Sequence, residues 1–304
     1  MSDESRTDTI GFIGLGNMGG AIVRRMLACN VSVIGFDINQ LTMARFEALG
    51  MSPASSARDV ADRATLVIVC IPTGGNPEVT REVVQGSAIE IYAEFSTMKP
   101  ARMREIEAIV DAAGVALVDA PVSGGVAIAE RGELSVMMAG SRDAMARLAK
   151  AMATVASRTL EIGETPGQAQ FCKLVNNAIG FTVFMASCEA LAVGASGGID
   201  PAVLLDAVNA GSGNNSWTTD KFGPHILSRT FDAGGKMPGG PKALDLYLDE
   251  AAAVGMPPGM VAMARNYWAK IAEGFGAEED FTNMIKYFEK HVGAELRSPV
   301  YEKS

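Results

Sequence analysis

A short apolar run, Thr9-Ile-Gly-Phe-Ile13, passes directly into Gly14-Leu15-Gly16-Asn17-Met18-Gly19, and this junction restricts the fold more than any other stretch. Behind the glycines, Met18, Ile22, Val23, Met26 and Leu27 fall on one stripe, which predicts a helix. A second apolar run, Val31-Ser-Val-Ile-Gly-Phe36, then ends at Asp37. Strand, glycine-rich turn, helix, strand and acid in this order describe a dinucleotide-binding βαβ unit. Gly14 is expected to make the tight turn, Gly16 to let backbone approach a pyrophosphate, and Gly19 to let helix and strand pack closely. The helix N-terminus would then offer free N–H groups to the phosphates. A merely tight turn would not need Asp37, whose carboxylate can accept hydrogen bonds from both ribose hydroxyls and would repel a 2′-phosphate. Asn39 and Gln40 follow it with no Arg or Lys adjacent, so NAD is expected in preference to NADP.

The alternation of strand and helix continues. Leu66-Val-Ile-Val-Cys-Ile71 has the composition of a fully buried strand and ends in the loop Pro72–Pro77; Ile91–Phe95 ends in Ser96-Thr97. Ligands of open α/β sheets bind beyond the carboxyl ends of strands, which makes Pro72, Thr73, Ser96 and Thr97 candidate cofactor contacts. Each also suits a turn or a helix cap, Ser96 equally so because Lys99-Pro100 follows. Val115–Val118 leads into Asp119-Ala-Pro-Val-Ser-Gly-Gly125. There the Ser123 hydroxyl and the unobstructed amides of Gly124 and Gly125 suit a carboxylate, although a loop needing positive φ would use the same glycines. Leu134–Met138, a helix over about 143–154, and Thr159–Ile162 complete the expected sheet.

After Gly163-Glu-Thr-Pro-Gly167 the period becomes helical. No proline intervenes from Gln168 to about Val193, which gives roughly 40 Å of helix. The segment is apolar nearly all round and is expected to be buried between neighbours. Lys173 and Asn177, four residues apart, share one face of it. Gly194–Gly198 end the helix and Asp200-Pro201 opens another; further helices are expected over 217–228, 241–254, 258–273 and 280–291 after one over 201–210. The fold class is therefore α/β: a Rossmann-type N-terminal domain over 8–165, then an all-α C-terminal domain over 166–304 that begins with the long interdomain helix.

A chain of 304 residues, 48% apolar and 20% charged, is sized and composed for two soluble domains. Its net charge of −9 argues against nucleic acid, which needs a basic surface. Cys29, Cys70, Cys172 and Cys188 lack Cys-x-x-Cys spacing and are expected to be buried free thiols, and His225 and His291 are too far apart for a histidine metal site. The polar N-terminus shows no signal-peptide core, and the apolar stretch Lys173–Glu189 is shorter than the roughly 20 residues of a membrane span and contains Asn176 and Asn177. A cytoplasmic protein without membrane association is expected.

From about Thr9 to Val292 the chain resembles the β-hydroxyacid dehydrogenases, the family of 3-hydroxyisobutyrate dehydrogenase and tartronate semialdehyde reductase. Four motifs carry the resemblance in the family's order: Gly11-Phe-Ile-Gly-Leu-Gly-Asn-Met-Gly19, Asp119-Ala-Pro-Val-Ser-Gly-Gly125, Lys173-Leu-Val-Asn-Asn177 and Lys242-Ala-Leu-Asp-Leu-Tyr-Leu-Asp-Glu-Ala251. The resemblance implies that Gly14, Leu15, Gly16, Asn17, Met18 and Gly19 form the cofactor loop and that Ser123, Gly124 and Gly125 hold the substrate carboxylate. It makes Lys173 the essential lysine, Asn177 its substrate-binding partner, and Lys242 a residue reaching the cofactor side of the cleft. The implied reaction is reversible hydride transfer between a small anionic 3-hydroxy acid and NAD, giving the semialdehyde or keto acid. Lys173 would exchange the proton or stabilise the alkoxide, and burial would lower its pKa from the usual value of about 10.4.

Trp217, at the end of Gly211-Ser-Gly-Asn-Asn-Ser-Trp217, is a candidate substrate-pocket residue, although an ordinary core position would suit it too. A homodimer or homotetramer is expected. Three positions depart from the family pattern: Ala169 replaces a glycine before the lysine, Ala243 replaces an aspartate after Lys242, and Glu94 replaces an aspartate ahead of Ser96-Thr97. An imine reductase shares the architecture but its family usually lacks the lysine. A cofactor-binding scaffold would need neither Lys173 nor Asn177, and a decarboxylating phosphosugar enzyme would need a cationic cluster that the sequence does not present.

Overall fold

Strands buried on both faces carry continuous apolar runs instead of alternation, and the central strands here follow that rule. The computed structural model describes residues 8–72 and 77–301; Thr73 lies outside the described residues. Among the described residues, nine strands form one sheet: β1 (Ile10–Ile13), β2 (Val33–Phe36), β3 (Ser52–Pro53), β4 (Leu66–Val69), β5 (Ile91–Glu94), β6 (Ala116–Asp119), β7 (Val122–Ser123), β8 (Leu134–Gly140) and β9 (Ala156–Gly163). The order is β3-β2-β1-β4-β5-β6-β8-β7, with β9 also pairing β8. The first six strands are mutually parallel; β8 runs antiparallel to β6 and β7 and parallel to β9.

Successive residues of β4 point to opposite faces. Leu66 and Ile68 pack in a cluster with Ile22, Met26 and Phe46, whereas Val67 and Val69 join Val60, Met103 and Ile106. The sheet is thus covered by the helix Asn17–Ala28 on one side and by the helices Ala57–Arg63 and Pro100–Ala112 on the other. This is the Rossmann-type arrangement expected from the glycine-rich turn.

The chain divides into two compact units between Lys173 and Leu174. Apart from one isolated bridge, Lys236 to Asp280, the regular elements among the described residues of the second unit are all helices, as the loss of strand patterning implied. Its core gathers Phe184, Phe222, Trp268 and Phe281 with aliphatic neighbours. The helices Pro201–Ala210, Gly239–Ala253 and Met260–Ala272 form close to their expected positions. The segment expected as a helix over 217–228 is a π-helix, Thr218–Leu227, with Pro224 inside it; the proline has no N–H for an α-helical rung. The segment expected over 280–291 is a 3₁₀ turn, Phe281–Met284, followed by the helix Ile285–Val292.

The long helix, Gln168–Ser196, has 29 residues, and two expectations about it need correction. By length and composition it is long enough to cross a membrane, because the helix continues on both sides of the apolar stretch Lys173–Glu189. Only a third of its most apolar window is buried. Nor is it buried all round: Phe171, Val175, Ile179 and Val193 are 37 to 61% exposed, which leaves an apolar face without cover from the described residues of this chain. Among the cysteines, all free, only Cys188 is fully buried.

Candidate active site

β1 lies between β2 and β4, so the strand order reverses beside the glycine-rich turn, where open α/β sheets bind their ligands. The three glycines are required for different reasons. Gly14 has φ +94° and donates its N–H to Phe36 O at 2.9 Å, and a Cβ there would lie 2.3 Å from Cys70 O. A Cβ on Gly19 would lie 2.0 Å from Gly14 O, so helix and turn touch through backbone. Gly16 is constrained by nothing among the described residues: its φ is −66°, and a Cβ would meet no atom within 4 Å. It heads the helix Asn17–Ala28 with no side chain capping it. Open space at the second glycine and uncapped N–H groups behind it fit the pyrophosphate of a nicotinamide dinucleotide.

Asp37 stands at the carboxyl end of β2. Its Oδ2 accepts the Leu15 N–H at 2.7 Å and its Oδ1 the Asn39 N–H at 2.8 Å. The carboxylate therefore clamps the glycine-rich turn, and each oxygen keeps further acceptor capacity for a ribose hydroxyl. Leu15 turns its side chain into the core and gives its N–H to Asp37, a scaffold position. Asn17 is exposed, Met18 half-buried, and Pro72 exposed at the end of β4.

Ser96 is buried after β5, where its Oγ accepts the Ile71 N–H at 3.0 Å. It ties the loop after β4 to the loop after β5, the scaffold role its sequence context allowed. Thr97 beside it is half-buried. Glu94 and Asp119 are partners in register on β5 and β6, and both are fully buried. Glu94 accepts the Tyr92 O–H at 3.1 Å and the Ser96 N–H at 2.9 Å; Tyr92 Oη is 3.2 Å from Thr80 Oγ1. Burial is the main cause pushing the Glu94 pKa up to about 7, with nearby Asp119 adding to it. Burial likewise raises Asp119 to about 6 against the lowering effect of hydrogen bonds from Gln170, Gly167 and Ala169.

Those hydrogen bonds hold the start of the long helix. Asp119 Oδ2 accepts the N–H groups of Gly167 at 2.8 Å and Gln170 at 3.1 Å, and its Oδ1 accepts Gln170 Nε2 at 2.8 Å. Lys173, one turn further on, is 8% exposed and makes no ion pair among the described residues. Burial lowers its pKa to about 8, so the amine can trade a proton near neutral pH. Ala169 is fully buried against Met137 and Ala139, so its methyl fills space that a glycine would leave empty. Asn177 is half-buried a turn beyond the lysine.

Ser123 ends β7 and pairs with Ser135. Gly124 and Gly125 have φ of +139° and +90°, so backbone conformation by itself accounts for both glycines. In the second unit, the Trp217 indole N–H donates to Gly180 O at 2.6 Å. Its ring packs on Phe181, Phe184 and Phe281, so core packing engages most of the side chain. Lys242 is exposed on the helix Gly239–Ala253. Within the first unit, the glycine-rich turn, Asp37, Pro72 and Ser96 meet at the carboxyl ends of β1, β2, β4 and β5. Sequence reasoning overlooked Gln170; its signal was a polar side chain three residues before Lys173 on the same face.

Residues 9–163 match the family model described as the NAD binding domain of 6-phosphogluconate dehydrogenase, and residues 167–288 that described as NAD-binding of NADP-dependent 3-hydroxyisobutyrate dehydrogenase. An L-threonate dehydrogenase of Escherichia coli O6:H1 is 30% identical over 289 residues, 92% of this chain and 94% of that protein. An NAD-dependent L-serine dehydrogenase of Pseudomonas aeruginosa is 29% identical over 301 residues, 93% of this chain and 99% of that protein. Among solved structures, a 3-hydroxyisobutyrate dehydrogenase from Salmonella typhimurium superposes with a TM-score of 0.78 at 29% identity, covering 92% of this chain and 99% of the other.

Proposed function

The chain belongs to the β-hydroxyacid dehydrogenase family, and from that premise we propose that it oxidises a small 3-hydroxy acid reversibly, with Lys173 as the proton-exchanging group. That it is an NAD(P)-dependent dehydrogenase acting on a CH–OH group follows from the family itself. The observation that carries the lysine's role is a buried amine without an ion-pair partner among the described residues, its pKa lowered to about 8, on the helix that bears Asn177 one turn later. The nicotinamide, when bound, supplies the hydride acceptor. The neutral Lys173 amine takes the hydroxyl proton during oxidation, and the ammonium returns it during reduction. Ser123, with the amides of Gly124 and Gly125, holds the substrate carboxylate, and Asn177 orients the hydroxyl-bearing carbon. Trp217 can contribute only ring surface, since its N–H is engaged.

NAD is the preferred cofactor in this reading, supported by the Asp37 carboxylate at the end of β2 and by the absence of Arg or Lys among the next three residues. The cofactor contacts are Gly14 to Gly19, Asp37, Pro72, Thr73, Ser96, Thr97 and Lys242. The nucleotide domain runs over 8–165 and the helical domain over 166–304; the bounds of the two family models, 163 and 167, support that division. The uncovered apolar face of the long helix supports a homodimer or homotetramer. Lys173, Asn176, Asn177 and Glu189 within that helix favour a soluble, cytoplasmic enzyme. The test is an oxidation screen of small 3-hydroxy acids with NAD and NADP, repeated with Lys173→Ala on the best substrate. Lys173→Ala should lower kcat by at least about a hundredfold while leaving NAD affinity within about threefold. Substantial residual turnover in that variant refutes the lysine's role.

A further inference from the structure

Gln170 is fully buried, and its side-chain amide uses both donors and its acceptor. Nε2 donates to Asp119 Oδ1 at 2.8 Å and to Ser96 O at 3.1 Å, while Oε1 accepts the Met98 N–H at 2.9 Å. Its backbone N–H goes to Asp119 Oδ2 at 3.1 Å, alongside that of Gly167 at 2.8 Å. We propose that Gln170 and Asp119 form a positioning device for Lys173, which locks the first turn of the lysine's helix to the loop after β5.

A helix cap alone would need only the contacts from the Asp119 carboxylate to backbone N–H groups. The amide of Gln170 adds three bonds that lead away from the helix, to Ser96 and Met98 and back to Asp119. Ser96 in turn receives the Ile71 N–H, so the network reaches the loops at the ends of β4 and β5, where the cofactor contacts are proposed. Gln170 and Lys173 are three residues apart on one helix and so share a face. Fixing the rotation and axial position of that turn fixes where the lysine's stem begins. A buried network in which every group is paired specifies one geometry, since any shift leaves a polar group unpaired in a dry interior. The proton-accepting nitrogen must be held to within a fraction of an ångström, and a displacement of about 1 Å lowers turnover by about a hundredfold.

This inference rests on the assignment of Lys173 as the proton-exchanging group. The test uses the full-length enzyme with NAD and the 3-hydroxy acid that it oxidises fastest in the screen. Gln170→Met keeps the length of the side chain and removes its three hydrogen bonds; Asp119→Asn leaves a single acceptor for the donors that Asp119 serves. Gln170→Met should lower kcat by about 10- to 100-fold, with NAD affinity within about threefold. It should also move the inflection in the pH profile of kcat by about half a pH unit or more, because the surroundings of the amine change. Asp119→Asn should alter both readouts in the same direction. A folded Gln170→Met with unaltered kcat and pH profile overturns the proposal, even if it melts at a lower temperature. Insolubility of both variants assigns the network to scaffold alone and also overturns it. Lys173→Ala, measured in parallel, separates the two levels. Turnover in Lys173→Ala removes the premise, whereas an inactive Lys173→Ala beside an unimpaired Gln170→Met removes only the positioning role.

Discussion

Replacing Glu94 with Gln should make the first unit more stable at alkaline pH and leave it nearly unchanged in acid. Glu94 is fully buried, and its pKa is raised from an ordinary 4.5 to about 7, chiefly by burial. In the unfolded chain the carboxyl ionises near 4.5; in the folded protein it holds its proton until about 7. The stability it contributes is therefore complete below the unfolded value and is lost as pH rises through the folded one. Glutamine stays neutral throughout and can keep the hydrogen bonds. Its Oε1 accepts the Ser96 N–H, and its Nε2 donates to Tyr92 Oη, which then donates to Thr80 Oγ1. Each tenfold change in an ionisation constant is worth about 1.4 kcal/mol, so the stability difference between Glu94→Gln and the parent should grow by roughly 2 to 3 kcal/mol between about pH 5 and 8.5. Any constant difference between amide and acid cancels in that comparison. The assay is urea unfolding followed by far-UV circular dichroism. Trp217 and Trp268, the only tryptophans, both lie in the second unit, so their fluorescence follows that unit as an internal control. A stability difference that is flat across this pH range would show that Glu94 carries its charge at no cost in the fold, and would refute the reasoning.

The roles of the second and third glycines of the turn should separate cleanly. Gly16→Ala places its methyl in open space and should leave the unfolding midpoint nearly unchanged while weakening NAD binding by about tenfold or more, read by titration calorimetry. Gly19→Ala places a Cβ 2.0 Å from Gly14 O and should destabilise the first unit in thermal melts, by several kcal/mol at the order of magnitude of backbone overpacking. The Lys173 pKa, lowered to about 8, predicts that kcat for oxidation rises as pH increases through about 8 and that kcat for reduction falls over the same range. Profiles with the opposite sense would exclude the lysine as the proton carrier. Asp37→Ala removes the clamp on the Leu15 N–H together with the ribose acceptor, and should weaken NAD and narrow its advantage over NADP in steady-state kinetics. Preference of the unmutated enzyme for NADP would contradict the role given to Asp37.

Local spacing made much of the fold legible. Gly14, Gly16, Gly19 and Asp37 lie within 24 consecutive residues, and a βαβ unit imposes its demands on neighbours in sequence. The helices of the second unit were likewise visible from Asp200-Pro201 and the absence of strand patterning. Features that depend on distant partners were not. Asp119 meets Gln170 across 51 positions, and no spacing rule joins a strand end to a helix start. Ser52–Pro53 and Val122–Ser123 are strands only because a neighbour offers them hydrogen bonds, and two residues carry no pattern. The reversal of β8 against β6 is a matter of topology, which the composition of Leu134–Met138 does not encode. The apolar composition of the long helix predicts burial, yet Ile179 is 61% exposed: hydropathy records what a side chain prefers, not whether this chain alone supplies the cover.

The dependence of the lysine's helix on Asp119 also has a consequence for the order in which the chain acquires its structure. The N–H groups of Gly167 and Gln170 are capped by a side chain 48 and 51 positions earlier, at the end of β6. Closing a loop of that length opposes the contact by roughly 3 kcal/mol of chain entropy, so the cap cannot form as a local event. It waits for β5 and β6 to pair and for Glu94 and Asp119 to come into register. The turn that carries Lys173 is therefore completed late, by the sheet and not by its own sequence. Newly made chains with a finished helix but an unfinished sheet would hold the cofactor-binding turn and the lysine in no fixed relation. In this protein, gain of catalytic activity during refolding should mark the closing of the sheet.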